Sequence, residues 1–123
     1  MRTEHQEQVI LVARIRQFLR GVMVFAVPNG GKRGKREAAR LKAEGVLAGV
    51  PDLVIAEPRG GFHGMCVELK REKGGRTSKA QKEVIAGLRA RGYHVVVSAG
   101  ADEAFRQIET YLALPPGARA VLS

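Results

Sequence analysis

The sequence predicts an α/β fold with a mixed central β-sheet flanked by helices on both faces. Short apolar, β-branched segments at 22–27, 52–56, 63–70 and 93–98 are interleaved with stretches whose apolar residues recur at helical spacing. Glycine and proline clusters mark the joins between them. The length, 123 residues, suits one domain, and an apolar fraction of 45% matches a folded chain and not a disordered one.

Each element has a local reason. Residues 4 to about 20 place Ile10, Leu11, Ile15, Phe18 and Leu19 at helical spacing, with Arg14, Arg16, Gln17 and Arg20 elsewhere. Thr3 is the expected N-cap, Gln6 follows three residues later, and Gly21 is the stop. Val22–Val27 is β-rich and ends at the turn Pro28-Asn29-Gly30-Gly31. Residues 32–44, dominated by Lys, Arg and Ala, read as a short basic helix or a mobile loop ended by Gly45. In Gly49–Ala56 the proline stands at the start of the strand, where a missing N–H is tolerated. After the turn Pro58-Arg59-Gly60-Gly61, His63–Lys70 forms the next strand. Thr77 or Ser78 caps a helix running to about Arg91, with Val84, Ile85 and Leu88 on one face and Gly92 closing it. Tyr93–Ser98 is a strand and Ala101–Leu114 a last helix, stopped by Pro115-Pro116.

Composition narrows the function. Lys and Arg number 21 against 12 Asp and Glu, a net charge of +9, which on a small domain faces a polyanion, nucleic acid first. A membrane surface fits less well, because no helix sets a basic face against large apolar residues. No apolar run approaches the ~18–20 residues a spanning helix needs, and the polar, acid-bearing start Met1–Glu7 is no signal or transit peptide. Cys66 is the single cysteine, which excludes an intrachain disulfide and a cysteine zinc cluster and fits a reduced, cytoplasmic setting.

Three charges stand in awkward places. Asp52 opens the strand 52–56, and Glu68 and Lys70 lie inside the strand 63–70. Alternation puts Glu68 and Lys70 on one face and Val67 and Leu69 on the other. The turn at 57–62 is short enough for an antiparallel hairpin, which would bring Asp52 to Glu68 and Lys70. Two carboxylates that close repel each other unless a cation lies between them. Mg²⁺ suits the set, since it takes one or two carboxylates together with water and substrate phosphate oxygens, and the backbone carbonyl of Leu69 could complete the sphere. Lys70 would orient or stabilise charge, or act as general base towards water attacking phosphorus.

Pro51-Asp52 with Glu68-Leu69-Lys70 resembles the signature of the PD-(D/E)XK nuclease superfamily. The surroundings are similar to VRR-NUC (virus-type replication–repair nuclease) domains, particularly stand-alone phage and bacterial forms. The matching stretches are Glu4–Val9, Val27–Gly31, Leu41–Gly45, Ala48–Leu53, Glu68–Arg71 and Gly75–Gln81, covering residues 4 to about 98. The resemblance implies one nuclease domain over 1–123, with its core at about 4–98 and a C-terminal helix and tail at 101–123. It implies metal-binding carboxylates at Asp52 and Glu68 beside the Leu69 carbonyl, a catalytic lysine at Lys70, and a glutamine, Gln81, reaching back to the site. It also implies a first-helix glutamate, Glu7, holding metal-bound water, with Glu4 its rival. The implied activity is metal-dependent endonuclease cleavage of DNA, with Mg²⁺ replaceable by Mn²⁺ and no nucleotide cofactor. Stand-alone members are homodimers acting on branched DNA, including four-way (Holliday) junctions, in repair, recombination or phage replication. A two-fold substrate cut symmetrically needs two sites related by a two-fold axis. Lys32, Arg33, Lys35, Arg36, Arg40 and Lys42 then read as a phosphate-contacting arm.

Other signals are weaker. Gly31-Lys32-Arg33-Gly34 matches the GxxG loop of KH RNA-binding domains, so a non-catalytic nucleic-acid-binding module is one alternative and a sequence-specific restriction-type nuclease another. A P-loop fails at Ala26 and Arg33. His5, His63 and His94 lack metal-ligand spacing, although His5 and His63 could touch substrate. With no Trp, two Tyr and four Phe, a stacking platform for single strands is poorly supported.

Overall fold

The computed structural model describes residues 1–28 and 34–118. In chain order the elements are α1 (Glu4–Phe18), β1 (Val24–Ala26), α2 (Lys35–Ala43), β2 (Leu53–Ile55), β3 (Met65–Lys70), α3 (Lys79–Ala90), β4 (His94–Ala99) and α4 (Ala101–Leu112). The sheet order is β1-β2-β3-β4, with β1/β2 and β2/β3 antiparallel and β3/β4 parallel. The parallel pair needs a crossover, which α3 supplies. The mixed sheet with helices on both faces is the architecture the sequence predicts. Among the described residues no helix is long and apolar enough to cross a membrane.

Strand alternation divides the core. Met65, Val67 and Leu69 of β3 join Leu53 and Ile55 of β2 on the face covered by α1 and α4, through Leu11, Ile15, Ala101, Ala104, Ile108 and Tyr111. On the other face Cys66 and Val95 pack under Ile85 of α3, with Val54, Leu88 and Tyr93 around them. Cys66 is thus a small core residue on the same face as Glu68. All six residues of β3 are buried, so its two charged residues, Glu68 and Lys70, must find partners within the protein.

The helix starts are built alike. Thr3 and Ser78 each accept a hydrogen bond from the backbone N–H three residues on, and the side chains of Gln6 and Gln81 each accept the cap residue's own N–H. Ser78, not Thr77, is therefore the cap of α3. The segment left open between helix and loop is helical from Lys35, but α2 buries none of its residues. Lys32 and Arg33 of the expected arm, with most of the GxxG segment, lie outside the described residues. Phe18, grouped with the apolar stripe of α1, is 65% exposed and meets Phe105 edge-on, while Glu7, Leu11 and Ile15 form the buried line.

Candidate metal and active site

The β2/β3 register pairs Leu53 with Val67 and Ile55 with Met65. Continued one residue beyond β2, it sets Asp52 opposite Glu68, as the hairpin reading requires. Asp52 bends back onto β3, its Oδ2 accepting the Leu69 N–H at 2.8 Å. In a strand the N–H and C=O of one residue point to the same edge. The Leu69 carbonyl therefore also points towards the β2 side, where the register brings Pro51, which has no N–H to offer. The proline leaves the Leu69 carbonyl outside the ladder, beside Asp52.

On the α3 face, Glu68 Oε2 lies 3.2 Å from Lys70 Nζ. Gln81 ties the two to the helix: its Nε2 donates to Glu68 Oε2 at 2.8 Å, and its Oε1 accepts from Lys70 Nζ at 3.1 Å. The same Oε1 accepts the Ser78 N–H at 2.8 Å, so the capping box that starts α3 also fixes the Gln81 side chain in the site. Gly49 allows this closeness. It has φ +92°, and a Cβ there would lie 2.6 Å from the Ala80 carbonyl group and 2.8 Å from the Gln81 nitrogen. Gly75 does the same for Lys70, since its Cβ would lie 2.7 Å from the Lys70 Cβ.

These side chains line a cleft of about 710 Å³, with Glu4, His5 and Gln8 of α1, residues 26–28 and 48–50, and the first turn of α3 around it. The structure separates the two first-helix glutamates. Glu4 lines the cleft, its Oε1 3.8 Å from Lys70 Nζ. Glu7 is turned inward and 1% exposed, its Oε1 accepting from the Ala101 N–H that starts α4 and from Arg2, each at 3.2 Å. Glu7 is not among the residues lining the cleft. His63 also lies elsewhere, packed on Tyr93, whereas His5 is at the cleft wall. The exposed Lys35, Arg36, Arg40 and Lys42 sit on α2, which lies in sequence between the cleft-lining residues Pro28 and Ala48.

The electrostatics leave a cation's place. Glu68 Oε1 is buried without a hydrogen-bond partner. Burial, then the charge of Asp52, pushes the Glu68 carboxyl up to about 7 against the opposing pull of Lys70. Burial also raises Asp52, against the lowering effect of the Leu69 N–H. Among the described residues no group of three or more His, Cys, Asp or Glu is placed to enclose a metal. A hard ion that keeps water and substrate oxygens as ligands needs only one or two carboxylates from the protein. Asp52, Glu68 and the Leu69 carbonyl are the donors that fit it. Gly49, Gly75 and Ser78 are not marked as site residues by the sequence; the matching stretches Ala48–Leu53 and Gly75–Gln81 carry the only signal.

Comparison with known proteins bears on the family and the fold. The family model for the VRR-NUC domain matches residues 2–102. A solved structure described as a VRR-NUC domain protein superposes with a TM-score of 0.80 at 33% identity, covering 98% of each chain. No curated protein matches the chain.

Proposed function

Because the chain belongs to the VRR-NUC family of nuclease domains, we propose that it is a Mg²⁺-dependent endodeoxyribonuclease cutting branched DNA such as four-way junctions, and that it acts as a homodimer. The observation that carries this reading is the convergence of Asp52, Glu68 and Lys70 on one cleft around the unpartnered Glu68 Oε1. A bound divalent ion, Mg²⁺ or Mn²⁺ in its place, supplies Lewis-acid polarisation of the phosphate and activation of water. Asp52, Glu68 and the Leu69 carbonyl hold it. Lys70, steadied by Gln81, presents its ammonium to the phosphate oxygens and orients the attacking water. Glu4, not Glu7, is the first-helix carboxylate in reach of that water. The N-terminus of α3 adds backbone dipoles that favour an anion in the cleft. Lys35, Arg36, Arg40 and Lys42 of α2, with Lys32 and Arg33 before it, supply phosphate contacts beyond it, and two copies related by a two-fold axis cut a two-fold junction symmetrically.

Incubation of a labelled four-way junction with the protein gives cleavage with Mg²⁺ and none with EDTA. A shifted but uncut junction under both conditions identifies a binding module instead. Equal cutting of junctions of unrelated sequence, with linear duplex spared, excludes a restriction-type enzyme.

Gly49→Ala tests the α3 support. The added methyl meets the Ala80 backbone at 2.6 Å and displaces the first turn that carries Gln81. Cleavage is expected to fall ~10–100-fold, the scale of an ångström-level misplacement. Gly45→Ala is the control: its φ is +102°, so it carries the same backbone strain, but its Cβ meets nothing within 4 Å. Equal activities of the two variants would show that strain alone, and not the contact with α3, matters.

A further inference from the structure

A second cavity of about 400 Å³ adjoins the cleft and shares Glu4 and Lys70 with it. Its other lining residues are Met1, Arg2, Thr3, Arg71, Gly74, Gly75 and Arg76. Four of its charged side chains are cationic (Arg2, Lys70, Arg71 and Arg76) against the single carboxylate of Glu4. From this we infer that the groove is a subsite for the backbone phosphates next to the scissile one, with Arg71 and Arg76 as its contacts. The inference rests on the nuclease reading and adds to it the direction in which the substrate strand leaves the cleft.

The local structure supports this in three ways. First, the 71–76 loop is laid directly on the lysine stem, because Gly75 has no Cβ to strike Lys70. Any phosphate held by the loop is therefore a near neighbour of one at the Lys70 ammonium. Second, Arg71 and Arg76 are exposed, and the one hydrogen bond of the Arg71 guanidinium among the described residues, to the Gly74 carbonyl, is long at 3.4 Å. Most of its donors remain open to a ligand. Third, guanidinium forks match phosphate oxygens in bidentate geometry, and among the described residues none lining the groove is an aromatic on which a base could stack. The ligand is thus the sugar–phosphate backbone, read without sequence. Arg2 borders the groove with its head anchored 3.2 Å from buried Glu7, which steadies the groove wall.

The test is salt-dependent binding of a labelled four-way junction in EDTA, where no turnover occurs, followed by single-turnover cleavage in Mg²⁺. Each phosphate contact contributes about 0.9 to the slope of log affinity against log salt. Arg71→Ala/Arg76→Ala is expected to lower that slope by about 2 and to slow cleavage, and Arg71→Lys/Arg76→Lys to restore the slope. Arg16→Ala/Arg20→Ala removes the same charge from exposed positions at the far end of α1 and is expected to leave the slope within about 0.5 of wild type. If the groove variant keeps the wild-type slope while the wild type cuts, the groove assignment fails and the nuclease reading stands. If both arginine pairs lower the slope equally, net charge and not the groove is responsible, and the assignment again fails. If the wild type neither binds nor cuts, the nuclease reading falls and takes the groove with it.

Discussion

Lys70→Ala is expected to reduce Mg²⁺-supported junction cleavage by about 10³-fold or more, the scale on which removal of one preorganised charge from an active site is felt. Lys70 contacts three acceptors at once: Gln81 Oε1 at 3.1 Å, Glu68 Oε2 at 3.2 Å and Glu4 Oε1 at 3.8 Å. Its stem is closed over by Gly75, so the ammonium has little freedom to point elsewhere. Truncation takes the fixed cation from the cleft and leaves the fold's apolar core untouched, because Lys70 lies on the α3 face beyond the Cys66, Ile85 and Val95 cluster. Circular dichroism and junction binding should therefore stay close to wild type while turnover disappears. Asp52→Asn should abolish cleavage differently. It removes a proposed metal ligand yet keeps an oxygen to accept the Leu69 N–H, so more Mn²⁺ or Mg²⁺ should recover part of its activity and none of that of Lys70→Ala. Wild-type turnover by Lys70→Ala would refute the site.

What the sequence reveals about this site follows from which interactions are local. Period-2 alternation alone puts Glu68 and Lys70 on one face, and a short turn alone makes β2 and β3 a hairpin, so the Asp52–Glu68 opposition is readable without coordinates. Glu4 and Glu7 are different. They are three residues apart on one helix face, and the i, i+4, i+8 spacing puts Glu7 beside the stripe of Leu11 and Ile15 without fixing which way its carboxyl turns. Their separation comes from the far end of the chain, where the Ala101 N–H takes Glu7 into the interior and leaves Glu4 in the cleft. Gly49 is unreadable for a similar reason, since its need to be glycine arises from Ala80, 31 positions away and on another element. In α2 the ambiguity between helix and loop has its own cause: a helix that buries no residue carries no apolar stripe for the sequence to display.

In the metal-free protein, stability should fall as pH rises from about 5 to 8, and Glu68→Gln should remove that fall. The Glu68 carboxyl titrates near 4.5 in the unfolded chain and is pushed up to about 7 in the fold. The folded state thus holds the proton more tightly, and the unfolded state gains relative stability through the window between these values. Below about pH 4.5 Glu68 imposes no penalty, and above about 7 the full penalty is present, on the order of 3 kcal/mol. Asp52, raised for the same reason of burial, acts in the same direction at lower pH. His94 acts against it. Burial and then Arg89 lower its pKa, so its contribution to stability grows as pH rises. The difference between wild type and Glu68→Gln isolates the carboxyl, since His94 is common to both. The glutamine keeps an oxygen for Gln81 and Lys70 and offers an N–H₂ where the carboxylate has an orphaned oxygen. In EDTA at pH 8 the variant should melt about 10 °C above wild type, and at pH 5 the two should nearly coincide. Divalent cation reverses the order at pH 8. Wild type gains about 4.1 kcal/mol at a thousandfold excess over Kd, more than the penalty, and Glu68→Gln gains far less because a ligand is gone. Parallel melting curves for the two proteins at every pH, with equal response to Mg²⁺, would mean that Glu68 is an ordinary carboxylate and the cleft holds no cation through it.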